Sequence, residues 1–288
     1  MSVCIYEQSE SPAQTIYRID DILCSKTTSR GTKVVIADSQ EYGRMLFMDG
    51  ELQSAKMDEA IYHETLVHPA MRLAVSRKMV GLNVLVVGGG EGATVREVLR
   101  WSGVDAVDWV EWDVEAARLC EMWLGWAPGI MRDPRLNCIW EDIRKFSAAG
   151  TYDLIILDLP DPDGEDKWLY GDEFWQHMKS MLNEKGILVT HCGPVSPVAG
   201  LGAGYQRIHA ALKSKNGFYH MLIPSFQGEW GFYVWSRDAI KQDWLQEVRV
   251  ISLPEDLRVA DEEQFVAWSL KPLVWRCASL LDSDLHQE

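Results

Sequence analysis

Five carboxylates fall within nine residues in the segment Asp158-Leu159-Pro160-Asp161-Pro162-Asp163-Gly164-Glu165-Asp166. The segment follows the apolar run Tyr152 to Leu157, so Asp158 stands at the carboxyl end of a predicted strand, and the prolines at 160 and 162 keep a helix from starting there. Asp158 and Asp161 can therefore both face a crevice. Paired carboxylates suit a dication, and one of them can take a proton from an amine. Asp163, Glu165 and Asp166 read instead as an ordinary surface turn. A second group is Gly88-Gly89-Gly90-Glu91-Gly92, directly after the apolar run Val84 to Val87 and before a helical run from Ala93 to Trp101. Glycines there let the backbone turn tightly and come close to a ligand.

Glu111 ends the next predicted strand, 21 residues past Gly90, where doubly wound folds place an acid for ribose hydroxyls. Glu141-Asp142-Ile143 ends the third strand, and an acid followed by an apolar residue suits an adenine; Asp142 equally suits a helix N-cap. An adenosine-type ligand would serve a methyltransferase or a dehydrogenase as well. Glu91 separates these, because a buried carboxylate beside the methionine carboxylate of S-adenosylmethionine costs on the order of several kcal/mol. An acid there prefers the ammonium of decarboxylated S-adenosylmethionine. The competing reading is a Glu that favours the start of the following helix through its dipole.

These groups need a scaffold that brings strand ends together. Beyond Gly81, short apolar runs (Val84–Val87, Val107–Glu111, Leu136–Trp140, Tyr152–Leu157, Gly186–His191) alternate with helical segments, which predicts a parallel sheet covered on both faces. Phe218–Ile223 and Gly231–Ser236 are joined too briefly for a crossover helix and are expected to pair antiparallel at the sheet edge. Residues 15 to 60 carry alternating runs, Lys33–Ala37 and Arg44–Met48, with turns at Ser29-Arg30-Gly31 and Asp49-Gly50. A helix from about Asp58 should bury Ile61, Leu66, Val67 and Met71, and an amphipathic helix is expected from Asp261 to Leu281. The predicted fold class is α/β: a small N-terminal antiparallel β domain (1–60) and a doubly wound, Rossmann-like sheet of methyltransferase type (61–288) that carries catalysis.

At 288 residues and 47% apolar content the chain can bury a large core. Its formal charge of −15 argues against a nucleic-acid partner and favours a cationic ligand. The longest apolar runs are far short of a membrane span, and the first ten residues lack a secretory pattern, so a cytoplasmic protein without membrane contact is expected. The six cysteines lie far apart, with no C-x-x-C pair and no histidine cluster, which predicts reduced thiols and no metal.

The motifs agree in order with one family. Tyr42-Gly43, Met48-Asp49-Gly50, Gln53, Asp58-Glu59, Tyr62-His63-Glu64 and His68-Pro69 are followed by Gly88–Gly92 with Arg96-Glu97-Val98-Leu99, then by Asp133-Pro134-Arg135, Asp142 and Asp158 to Pro162. From about residue 15 to 275 the chain resembles the spermidine synthases, the polyamine aminopropyltransferases. The resemblance implies transfer of an aminopropyl group from decarboxylated S-adenosylmethionine, a cosubstrate with no prosthetic group beside it, to a small polyamine, with release of methylthioadenosine, by a homodimer or homotetramer. It implies that Gln53, His63, Gly88, Gly90, Glu91, Glu111, Asp142 and Ile143 hold the donor. Tyr62, Asp158 and Asp161 would line the acceptor side, with Asp158 as the catalytic acid/base.

Many spermidine synthases have Asp in the glycine loop and Pro-Thr-Tyr near the late strand, where this chain has Glu91 and Pro224-Ser225-Phe226. That departure is closer to the agmatine-using (triamine) aminopropyltransferases and thermospermine synthases, and points to an acceptor longer than putrescine or differently headed. Phe226 and Trp230 are expected at the acceptor, where a ring can stack on methylenes or cations. An S-adenosylmethionine-dependent methyltransferase or a catalytically silent nucleoside-binding relative are the competing readings.

Overall fold

A computed structural model describes residues 3–7, 15–77, 81–148, 150–161, 167–195, 203–212 and 216–270. Strands β1 (Val3–Tyr6) and β2 (Ile16–Ile19) pair antiparallel. Strands β3 (Asp21–Thr27), β4 (Lys33–Ser39), β5 (Gly43–Met48) and β6 (Glu51–Ala55) form a four-stranded antiparallel sheet in that order. Asp49 and Gly50 both take positive φ (52° and 92°), as a tight hairpin between twisted strands requires, and Asp49 Oδ1 accepts the Lys33 N–H at 2.8 Å. One face of this sheet packs on helix α3 (Val114–Trp123) through Val34, Ile36, Leu46, Ala116 and Cys120; the other buries Tyr17, Ala37, Met45 and Phe47. Both faces are covered, so the strands do not show a clean polar face.

Helix α1 (Glu59–Ser76) is buried along most of its length, including Leu66, Val67 and Met71. Pro69 lies inside it and has no N–H for the Thr65 carbonyl four residues back. The Tyr219 hydroxyl supplies the missing donor, 2.9 Å from Thr65 O. Asp58, just before α1, accepts from Ser225 N (2.6 Å) and Ser225 Oγ (2.9 Å), while the Ser225 carbonyl accepts from Tyr17 OH (2.9 Å). The turn that carries Phe226 is thereby tied to the N-terminal part of the chain.

The central sheet contains β7 (Leu82–Gly88), β8 (Val104–Val110), β9 (Leu136–Ile139), β10 (Tyr152–Asp158), β11 (Leu182–Pro194), β12 (Asn216–Ile223) and β13 (Gly228–Ser236), in the order 12-13-11-10-7-8-9. Pairs 11-10, 10-7, 7-8 and 8-9 are parallel, and β13 pairs antiparallel with both β11 and β12. The late edge hairpin is as expected. The strand expected over Gly186–His191 is longer at both ends. Residues alternate between faces: Val84 and Val86 join the core with α1, α2 (Ala93–Leu99) and α6 (Glu262–Trp268), whereas Leu85 and Val87 face α4 (Asp172–Ser180) and α5 (Ala203–Leu212).

From β7 the chain moves outward to β8 and β9, then returns to β10 on the other side of β7, so the topological switch point lies between β7 and β10. The expected tail helix spans only Glu262–Trp268, capped by Asp261 Oδ1 on Gln264 N (2.7 Å); residues 271–281 lie outside the described residues. No helix among the described residues is long and apolar enough to cross a membrane.

Asp58→Ala should leave the buried Ser225 N–H without its acceptor and lower stability by about 1–3 kcal/mol, read as a shifted urea midpoint at unchanged slope.

Candidate active site

At the switch point Asp158, the last residue of β10, lies directly opposite Gly88, the last of β7. A Cβ on Gly88 (φ 79°) would come within 2.2 Å of the Asp158 carbonyl oxygen, and one on Gly89 (φ 65°) within 2.7 Å of Asp158 Oδ2. Only glycine permits this approach. The Gly89 N–H donates to Asp158 O at 2.8 Å. Asp158 Oδ1 accepts from Tyr62 OH (2.8 Å) and Oδ2 from Thr94 Oγ1 (2.6 Å), so both oxygens are oriented and each keeps a lone pair. Burial first, then the Asp158 charge, raises the Tyr62 phenol well above its ordinary pKa, which keeps it a donor.

Glu91, on the glycine loop, meets His63 from α1, with Nε2 2.9 Å from Oε1 but off the hydrogen-bond axis. His63 Nδ1 donates to the Glu59 carbonyl at 2.6 Å and lies 3.3 Å from Glu59 Oε2. A carbonyl only accepts, so Nδ1 carries a proton, and Nε2 faces a carboxylate. Burial opposes the imidazolium, but the Glu59 and Glu91 carboxylates outweigh it and hold the pKa up to about 10. Glu91 is therefore not an isolated acid awaiting an ammonium. It is half of an ion pair, made through Oε1. Behind it, Arg96 bridges Glu59 (2.8 Å) and Glu97 (2.7 Å), and His68 Nε2 contacts Glu97 Oε2 at 3.1 Å.

On the β8 side of the switch point, Glu111 follows β8 directly, is buried, and accepts the Asp113 N–H at 2.8 Å. Desolvation raises its carboxyl to about 7. Gly90 would place a Cβ 3.5 Å from Glu111 Oε2, so the glycine loop and this acid face each other. Asp142 starts no helix. A turn follows it, and its carboxylate is bound by the Arg144 guanidinium through Nε (2.9 and 2.8 Å) and Nη2, which lowers its pKa. Ile143 is buried beside it, and the Gln53 amide donates to the Glu51 carbonyl at 3.3 Å.

On the other side of Asp158, Asp161 lies 3.6 Å from His191 Nδ1, and the Tyr62 ring neighbours Phe226 (6.0 Å), which neighbours Trp230 (4.8 Å). Pro162, Asp163, Glu165 and Asp166 lie outside the described residues. Sequence reasoning missed Thr94, Glu59 and His191. Glu59 was within reach, since it stands four residues before His63 on a predicted helix. Thr94 sits two residues past Gly92, and nothing local marks it. His191 reads only as a strand end.

A family model described as the spermine/spermidine synthase domain matches residues 59–244. The chain belongs to this family. Polyamine aminopropyltransferase 2 of Pseudomonas aeruginosa is 35% identical over 254 residues, which cover 85% of this chain and 68% of the relative. The polyamine aminopropyltransferase of Saccharolobus solfataricus is 36% identical over 227 residues, 76% of this chain and 72% of the relative. Among solved structures, a spermidine synthase in complex with the transition-state analogue AdoDATO superposes with a TM-score of 0.82 at 22% identity, covering 99% of this chain and 96% of that one. The spermidine synthase of Thermotoga maritima gives 0.80 at 22% identity, with 99% and 95% covered. The family and the α/β fold with its small N-terminal β part are as the sequence motifs implied.

The Glu111 carboxyl titrates near 7 in the fold and near its ordinary 4.5 in the unfolded chain, so between these values the folded protein holds the extra proton and stability falls as pH rises. Glu111→Gln carries no such cost. In thermal unfolding of the unliganded protein, the variant's advantage should grow from about pH 5 to about pH 8 and reach about 3 kcal/mol.

Proposed function

We propose that this chain transfers the aminopropyl group of decarboxylated S-adenosylmethionine to a polyamine acceptor, with Asp158 as the group that receives the acceptor's proton. The observation that carries this reading is the setting of Asp158 at the switch point. It is held on both oxygens by hydroxyls, with Glu111, Asp142 and Ile143 on one side and Asp161, Tyr62, Phe226 and Trp230 on the other. Family membership supports the same chemistry.

In the reaction a neutral amine nitrogen attacks the aminopropyl carbon bound to the sulfonium. The new C–N bond forms as the C–S bond breaks, and its electron pair returns to sulfur as methylthioadenosine. The thioether leaves without protonation. Acceptor amines have pKa values near 10.4, so one proton must be removed, to Asp158 or through it to water. Approximation of nitrogen and carbon supplies the rest.

Glu111 fits the ribose hydroxyls, and Asp142 with Ile143 fits the adenine, provided Arg144 yields part of its hold on Asp142. Glu91 Oε2 and Gln53 fit the donor's tail, with His63 holding Glu91 in place. Gly88 and Gly90 leave the backbone clear for it. Asp161 fits a cationic nitrogen of the acceptor, and Phe226 offers no hydroxyl where Tyr would, which favours an acceptor longer than putrescine or differently headed. A homodimer or homotetramer is the assembly we expect, supported by the exposed cross-strand pair Tyr6 and Ile16 on the β1–β2 hairpin.

Asp158→Asn should lower kcat by about 100-fold or more while methylthioadenosine, followed by calorimetry, still binds within a few-fold of the unaltered protein; undiminished turnover would contradict the assignment. With decarboxylated S-adenosylmethionine and a competing mixture of putrescine, agmatine, cadaverine and spermidine, products identified by mass should favour an acceptor other than putrescine. Clear preference for putrescine would overturn that part of the reading.

A further inference from the structure

The two carboxylate oxygens of Asp158 stand in different surroundings. Oδ2 takes the Thr94 hydroxyl at 2.6 Å and lies against the glycine loop, where a Cβ on Gly89 would come within 2.7 Å of it. Oδ1 takes the Tyr62 hydroxyl at 2.8 Å, and the Tyr62 ring lies among His191 (ring centroids 6.1 Å), Phe226 (6.0 Å) and Phe232 (5.8 Å). One oxygen therefore turns to loop backbone, and the other to an aromatic group of the kind that suits methylene chains and cations.

Thr94 is fully buried in the first turn of α2, and its branched Cβ restricts the hydroxyl to few rotamers. The loop before it is itself fixed. Gly88 O accepts the Trp109 Nε1–H at 2.7 Å, Gly89 O accepts the Gly92 N–H at 2.8 Å, and the Gly89 N–H donates to the Asp158 carbonyl at 2.8 Å. The same loop-and-helix unit thus holds Asp158 twice, on its carbonyl oxygen and on Oδ2. An amine approaching Oδ2 would meet the loop backbone, whereas one approaching Oδ1 comes from the aromatic side.

We propose that Thr94 is a positioning residue: its hydroxyl holds Oδ2 against the glycine loop and so reserves Oδ1 as the oxygen that receives the proton of the acceptor amine. This role rests on the aminopropyl-transfer reading. The attacking nitrogen passes its proton to Oδ1 as the C–N bond forms, and the Thr94 O–H bond stays intact throughout. Without that hydroxyl the carboxylate can turn about its Cβ–Cγ bond, a soft torsion, and the reacting lone pair is no longer aimed.

The test compares Thr94→Val, which keeps the shape and removes the hydroxyl, with Thr94→Ser, which keeps the hydroxyl. Turnover is followed as methylthioadenosine release from decarboxylated S-adenosylmethionine, with whichever of putrescine, agmatine, cadaverine and spermidine the unaltered protein uses fastest. Thr94→Val should lower kcat by about tenfold and leave KM for both substrates within about threefold, and Thr94→Ser should recover most of the loss. Thr94→Ala removes the same hydroxyl with less bulk and should fall with Thr94→Val. Beside Asp158→Asn, Thr94→Val should cost less than about twofold, because the group it positions is already gone; a merely structural loss would cost the same factor in both backgrounds. If the unaltered protein releases no methylthioadenosine with any amine, the transferase reading fails. If it turns over and Thr94→Val and Thr94→Ala keep kcat, or lose the same factor beside Asp158→Asn, the positioning role alone fails.

Discussion

Charged side chains can stay in a protein interior only when each finds a partner of opposite sign or a set of hydrogen bonds, and helix α1 is organised by that constraint. A continuous line runs from Glu91 through His63, Glu59, Arg96 and Glu97 to His68, which takes the Trp101 N–H on Nδ1 at 3.1 Å. The Trp101 donor leaves His68 Nδ1 as an acceptor, so His68 meets Glu97 with its Nε2 proton. Glu64, one residue past His63, accepts three backbone N–H groups, from Arg258, Val259 and Ala260, all at 2.8–2.9 Å. Arg72 pairs with Glu262 and lies over the Phe265 ring. Removing one member would strand its neighbour's charge, which makes α1 a rigid spindle against which the glycine loop is set.

Four acids near the switch point share one residue class and have four environments. Asp158 is held by two hydroxyls, Glu91 by an imidazolium, Asp142 by a guanidinium, and Glu111 by a backbone N–H in a desolvated setting. Burial raises the Glu111 carboxyl and the Arg144 guanidinium lowers that of Asp142, so one residue class spans opposite environments. Glu111 accepts a backbone N–H from Asp113, whereas Asp158 is oriented on both oxygens by side-chain hydroxyls.

The aromatic residues around Asp158 and Asp161 come from pieces far apart in the chain. Phe226 sits on a three-residue turn between β12 and β13 whose Ser225 is clamped by Asp58, just before α1, and by Tyr17 of β2, so this turn is fixed by the N-terminal part of the chain as well as by its own strands. Tyr62 arrives on α1, His191 on β11, and Trp230 on β13.

Much of this was readable along the chain because it depends on short-range chemistry. Apolar runs of strand length, glycines at a strand end, Asp49-Gly50 at a hairpin, and acids at the carboxyl ends of strands are local signals, and they placed β4, β5, β7 to β10, the β12–β13 pair and the group Gly88, Glu91, Glu111 and Asp158. Local signals could not place β1 and β2, whose stability comes from pairing, nor end at Trp268 the helix that begins at Glu262. Nor could they show that Glu91 is matched by His63, that Thr94 reaches Asp158, or that His191 stands beside Asp161. Those facts are pairings between groups tens of residues apart, set by which strand ends the fold brings side by side. Residue types and spacing determined the available chemistry; the return of the chain from β9 to β10 beside β7 decided which charges meet, because an electrostatic partner is defined by distance in space and not by position in sequence.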